Sequence, residues 1–131
     1  MFVHISTSHG LAIYDQIVRQ VKFAIASEAI KPGEMVPSVR ELSRELAVNP
    51  NTVARAYREL QAENVLESVR GTGLEVTARA PERCRKARVA LIRGRLRSVL
   101  HEAAQSRLEI SEIRSLTEDE LARLESRRNS R

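Results

Sequence analysis

Apolar residues first recur at helical spacing over residues 11–28, where Ile13, Ile17, Val21 and Ala24 form a stripe flanked by Tyr14, Val18 and Ile25. Ahead of it, Phe2, Val3 and Ile5 make a short apolar opening, and residues 6–10 are small and polar enough to turn. Lys31-Pro32-Gly33-Glu34 predicts a turn. A second helix of about nine residues starts at Ser38, with Glu41 three positions on completing a capping box and Val39, Leu42 and Leu46 on its inner face. Asn49-Pro50 then opens a third helix as cap and first helical residue. Its inner face is Val53, Ala56, Tyr57 and Leu60, its outer face Asn51, Thr52, Arg55 and Arg58, and Asn64 closes it.

Two strand-like runs follow, residues 65–69 and 74–77, around Arg70-Gly71-Thr72-Gly73, which predicts a hairpin. The expected fold is therefore mainly α with a small β-hairpin: a winged helix-turn-helix over residues 1–78, then a two-helix segment over 79–131. Residues 78–81 read as a linker. A long helix over about 82–106 carries the narrow stripe Val89, Ile92, Leu96, Val99, Leu100 and Ala103. The last helix is expected from Leu116, with Thr117 and Glu120 as a second capping box, Leu116 and Leu121 as a hydrophobic staple, and Leu121 and Leu124 facing inward. Residues from Glu125 onward are expected to fray.

Charge changes this picture less than its total suggests. The net +5 divides into −1 over residues 1–78 (eight basic, nine acidic), +7 over 79–97 (eight basic, one acidic) and −1 over 98–131 (six basic, seven acidic). The excess is one local run, Arg79, Arg83, Arg85, Lys86, Arg88, Arg93, Arg95 and Arg97, which reads first as the solvated side of the long helix and second as a set of phosphate contacts. The four aromatics, Phe2, Tyr14, Phe23 and Tyr57, are too few for a platform that stacks single-stranded bases or for an aromatic ligand pocket. One cysteine, Cys84, excludes an intramolecular disulfide and fits a cytoplasmic protein, and no apolar run is long enough for a membrane span.

The candidate chemistry sits on the third helix. A helix entering the major groove must show donors and acceptors on one side while the other is buried, and Asn51, Thr52 and Arg55 near its start satisfy that division. Asn49 is a cap first and a base contact second. Arg40, in the first turn of the second helix, is placed for a phosphate or a base edge, and Arg70 beside flexible Gly71 for the minor groove. Ser38, Pro50 and Thr72 adjoin these and complete the set. No catalytic constellation competes: His4, His9 and His101 share no metal-ligand spacing with Cys84, and the Gly71-Thr72-Gly73 pattern is too short for a phosphate loop. Neither an enzyme, a cofactor nor a metal is expected.

The strings KPGEMVPSVREL (31–42) and VNPNTVARAYREL (48–60), at their observed separation, resemble the N-terminal domain of GntR-family regulators, and the resemblance covers residues 11–77. The short tail, with Asn49-Pro50-Asn51-Thr52, resembles the YtrA-like branch, in which an abbreviated two-helix segment serves dimerisation in place of a large effector domain. The resemblance implies a bacterial repressor contacting double-stranded DNA through Arg40, Asn49, Pro50, Asn51, Thr52, Arg55, Arg70 and Gly71. Departures are specific: many relatives carry Arg where this chain has Pro50 and Ala54, Gly where it has Glu28 and Ala47, and a Thr-aromatic pair where it has Leu74-Glu75. The arginine-poor reader shifts the expected base contacts toward amide and hydroxyl groups.

The 53 residues after Ala78 are too few for a large sensory domain but enough for two amphipathic helices that pair with a second copy. A homodimer on a palindromic operator is expected. The alternative is a DNA-architectural or protein-interaction module using the same fold without operator choice. No polar cluster in the stripe indicates a small-molecule effector.

Overall fold

The computed structural model describes residues 3–6 and 11–130. Phe2, His9 and most of the turn expected over residues 6–10 lie outside the described residues. The element order is α1 (Ile13–Ala26), α2 (Val39–Leu46), α3 (Pro50–Ala62), β1 (Leu66–Val69), β2 (Gly73–Val76), α4 (Ala80–Gln105) and α5 (Ile110–Asn129). It is the expected winged helix-turn-helix followed by two helices. The chain forms two compact units that divide within α4, at Ala90 and Leu91.

In the first unit, α1 packs on α3 and α2 closes against α3. The core contains Ile17, Val21 and Ile25 of α1, Leu42 of α2, Val53, Ala56, Tyr57 and Leu60 of α3, and Leu66 and Val76 of the hairpin. The inner faces thus match the spacing of apolar residues, except that Ile13 stays exposed and Tyr14, Val39 and Leu46 are half-buried.

The helix boundaries follow from their caps. Ser38 Oγ accepts from Glu41 N at 3.1 Å, and Ser38 N donates to Glu41 Oε1 at 3.3 Å, so the capping box forms as expected. Asn49 Oδ1 accepts from Asn51 N at 2.8 Å. At the far ends a single device recurs. Glu28, Ala47, Asn64 and Arg107 all adopt positive φ. After each, the next residue's N–H reaches the carbonyl five positions back (Ala29 to Ala24, Val48 to Ser43, Val65 to Leu60, Leu108 to Ala103). Each of these four helices therefore ends in a Schellman turn without glycine.

The wing is larger than a hairpin. β1 and β2 are antiparallel, with Leu66 opposite Val76 and Val69 opposite Gly73. The loop before α2 joins their edge: Gly33 N donates to Val76 O at 2.8 Å, Val76 N to Glu34 O at 2.9 Å, and Val36 N to Leu74 O at 3.0 Å. The expected turn at Lys31–Glu34 is thus continued by a segment paired on β2. Leu74 packs its half-buried side chain against the core.

Three expectations are corrected. Residues 78–81 are not a linker: α4 starts at Ala80, which is 0% exposed, and Cys84 at 1% also belongs to the core. The compact unit needs a side-chain layer beyond the hairpin, and the first turns of α4 supply it. Second, the last helix does not start at Leu116. Its N-cap is Glu109, in a capping box with Glu112, and the Thr117 hydroxyl instead donates to the Ile113 carbonyl at 2.8 Å in mid-helix. The Thr117/Glu120 box fails because the backbone amides it would cap are already bonded within a running helix. Third, Leu121 and Leu124 do not face inward but are exposed, and the helix continues to Asn129 where fraying was expected.

The second unit is the rest of α4, a turn through Arg107 and Leu108, and α5. No described residue beyond Cys84 is buried. Val89, Ile92, Leu96, Val99 and Leu100 on α4 are all exposed, with Leu96 at 51% and Val99 at 60%, and Ala103 is half-buried. Ile110, Leu116, Leu121 and Leu124 on α5 are exposed as well.

Candidate nucleic-acid interface

The start of α3 presents the side chains that the sequence singles out. Asn49, Pro50, Asn51 and Arg55 are exposed and Thr52 is half-buried, while Val53, Ala56, Tyr57 and Leu60 anchor the opposite face. The Asn49 carbonyl is committed to the cap, which leaves its amide N–H groups as donors. Asn51 keeps both halves of its amide free, one donor and one acceptor, among the described residues.

Arg55 is held by a contact between α3 and α1. Its guanidinium carbon lies 3.7 Å from the centroid of the Tyr14 ring on α1. A stacked guanidinium keeps its in-plane N–H donors available while losing much of its rotamer freedom, so the pair delivers an oriented fork. Sequence reasoning missed Tyr14, placing it beside the α1 stripe as core. Nothing local marks it, because its partner is 41 positions further along the chain.

The second tether of α3 is Tyr57, whose hydroxyl donates to the Pro37 carbonyl at 2.7 Å. This bond ties α3 to the segment entering α2. Burial, with Glu41 and Glu45 adding in the same direction, holds the Tyr57 phenol well above its ordinary pKa, so it stays a neutral donor.

The remaining candidates sit at two other places. Ser38 and Arg40 begin α2, both exposed; the Ser38 hydroxyl is engaged in the cap, whereas the Arg40 side chain has no partner among the described residues. Arg70, Gly71 and Thr72 form the exposed tip of the wing. Gly71 has φ +77, which glycine adopts without strain, and the Thr72 hydroxyl closes the turn on the Val69 carbonyl at 3.3 Å. Three polar clusters of one compact unit, the starts of α2 and α3 and the hairpin tip, are thus left with donors unspent.

Two members of the basic run are engaged within the first compact unit. Arg88 stacks on Phe23 of α1 at 4.4 Å, and Arg83 donates to the Glu63 carbonyl at 3.2 Å. Glu63 also pairs with Lys22 at 2.9 Å. These contacts lie beyond the C-terminal end of α3. Among the described residues, no helix is long and apolar enough to cross a membrane.

Comparison with known proteins agrees with the fold. The family model of bacterial regulatory proteins of the gntR family matches residues 13–76. The transcriptional repressor YtrA of Bacillus subtilis is 32% identical over 111 residues, covering 85% of each chain. A transcriptional regulator from Oenococcus oeni superposes with a TM-score of 0.78 at 27% identity, over 89% of this chain and 97% of that one. The AraR DNA-binding domain, solved in complex with its operator ORE1, matches 57% of this chain and 92% of its own, with a TM-score of 0.50 and 25% identity. These relatives are regulators, in keeping with the expectation that the chain is not an enzyme. A match that extends through the tail as well as the reader identifies the chain as a member of the GntR family of bacterial regulatory proteins, of the short YtrA-like type.

Proposed function

We propose that this protein is a sequence-specific transcriptional regulator that binds a palindromic DNA operator as a homodimer and represses transcription from it. The observation that carries the reading is the division of α3: free amides and an oriented guanidinium on one side, and a fully packed apolar face on the other. Asn51 offers the bidentate pattern that matches adenine in the major groove, and Arg55 supplies a fork for guanine or a phosphate. Arg40 contacts the backbone and Arg70 enters the minor groove from the wing tip. Repression is drawn from the named activity of the Bacillus relative, and operator binding also from the AraR complex.

The homodimer rests on α4 and α5. Beyond Cys84 these two helices bury none of their described residues, so nothing holds that stretch as a layer in water and the stripe from Val89 to Ala103 requires a cover. A second copy supplies an identical stripe through a two-fold axis, which also presents two α3 helices to a palindrome. Footprinting on genomic fragments, paired with light scattering, tests both parts. One discrete protected palindrome and a dimeric mass are expected, and Leu96→Asp with Val99→Asp should yield monomers with operator affinity lowered by at least about tenfold. Uniform coating of DNA would favour the architectural alternative, and a monomeric wild-type mass at micromolar concentration would overturn the dimer.

A further inference from the structure

At the opposite end of α3 from its reading side, a groove of about 530 Å³ opens between α1, the end of α3 and the first turns of α4. All of its lining belongs to the first compact unit. Its charged residues are Lys22, Glu63, Arg79, Glu82, Arg83 and Lys86. Arg79, just before α4, and Arg83 and Lys86 within it follow at i, i+4 and i+7, so three cations line one concavity.

The pairing of these groups is uneven. The Glu63 carboxylate is neutralised by Lys22 at 2.9 Å, and its main-chain carbonyl takes Arg83 at 3.2 Å. The side chains of Arg79 and Lys86 have no hydrogen bond or ion pair among the described residues. With Glu63 and Glu82 set against four cations the groove keeps an excess of positive charge, which an anion of more than one charge balances. The size suits a small molecule. Two guanidinium forks and an ammonium favour phosphoryl oxygens over a lone carboxylate. DNA bound at the reading end is a poor source for that anion, since the rise from Asn51 to Glu63 separates the two ends of α3 by about 18 Å.

We propose that this groove binds a small phosphate-bearing polyanion, an effector site that goes beyond the operator reading. Arg79 and Lys86 are its primary ligands, with Arg83 contributing the N–H groups that Glu63 leaves free. A bound anion would tie Lys22 of α1 to the start of α4 and stiffen the attachment of α4 to the DNA-binding core.

Thermal melts of the full chain with inorganic pyrophosphate as probe test the site, against sodium chloride at matched ionic strength. The expected result is a saturable rise in Tm that chloride does not reproduce. In Arg79→Ala/Lys86→Ala, half-saturation should move by about tenfold or more. Both side chains are exposed, so the variant's Tm without anion should stay near wild type, and Arg79→Gln/Lys86→Gln provides a second version of the same test. A rise that never saturates, or one unchanged in both variants, would overturn the proposal. So would a dimer that dissociates in the variants, which would make the groove a contact between copies. A shallower salt dependence of operator binding in the variants would make these residues DNA phosphate contacts and would equally overturn it. Operator binding itself is read separately, so its failure and that of the groove are distinguishable.

Discussion

Replacing Ala47 by glycine should stabilise the protein, although no contact is gained. Ala47 holds φ 54 and ψ 44 at the end of α2, where its amide and that of Val48 close the Schellman turn on Arg44 and Ser43. An L-residue in this conformation carries roughly 1–2 kcal/mol of steric cost between Cβ and the following carbonyl. Glycine removes that cost but brings about 0.5–1 kcal/mol of extra chain entropy to be lost on folding. The methyl is exposed, so truncation forfeits no burial. The net expectation is a gain of about 0.5–1 kcal/mol. Glu28, at φ 65 and also exposed, closes the end of α1 by the same turn, so Glu28→Gly should give a similar increment. The two lie at the ends of different helices with no shared partner, and together should reach about 1–2 kcal/mol. For a unit of this size that is a rise in Tm on the order of 5–10 °C. Urea and thermal melts by circular dichroism at one fixed chain concentration provide the measurement. Asn64→Gly is the internal control, because asparagine already tolerates the left-handed region and should leave less to gain. If Ala47→Gly is neutral or destabilising while Asn64→Gly gains, the strain argument for this turn is refuted.

The stacked pair gives a prediction on affinity. Tyr14→Leu should weaken operator binding by roughly two- to fivefold through loss of the Arg55 orientation, worth about 0.5–1 kcal/mol, while Tyr14→Phe should bind like wild type. Equal binding by the leucine variant in a gel-shift titration would show that Arg55 needs no platform. The core predicts alkaline sensitivity. Burial pushes the Cys84 thiol up to about 11; Lys22 pulls the other way and Glu63 adds to the rise. Because the folded value is raised, the contribution is intact below about 9 and is lost as pH rises toward 11, and the Tyr57 phenol adds a loss in the same direction above 10. Melts between pH 7 and 11 should therefore fall steadily above pH 9, and Cys84 should react with a disulfide reagent at pH 8 only as fast as the core opens. Fast stoichiometric labelling at pH 8 would contradict its burial.

Features carried by neighbouring residues were legible in the chain. Ser38 with Glu41, Asn49 with Pro50, and Asn64 act within one turn of themselves, and the helices begin and end where those groups say. The polar start of α3 was legible for the same reason. What was not legible depends on partners far along the chain. Tyr14 finds Arg55, Glu34 and Val36 pair on β2, and Ala80 and Cys84 complete a core begun by α1. The start of α5 was misplaced because two capping boxes compete, and the better local one at Thr117 loses to the turn through Arg107, which fixes where the helix must restart.

Gln16 and Gln20 show the same long reach in the other direction. Gln16 Oε1 accepts from Ser6 N at 2.8 Å while its Nε2 donates to the Ser6 and Leu11 carbonyls, and Gln20 clasps the backbone of His4 in both senses. Two side-chain amides one turn apart thereby stand in for a neighbouring strand and hold Val3 in the core. Anyone transplanting this unit onto a different C-terminal segment should therefore not cut at the limits of the matched family segment, 13–76. The portable unit runs from Val3 to about Ala90; a shorter graft would leave a buried glutamine without its partners at one end and an uncovered core at the other.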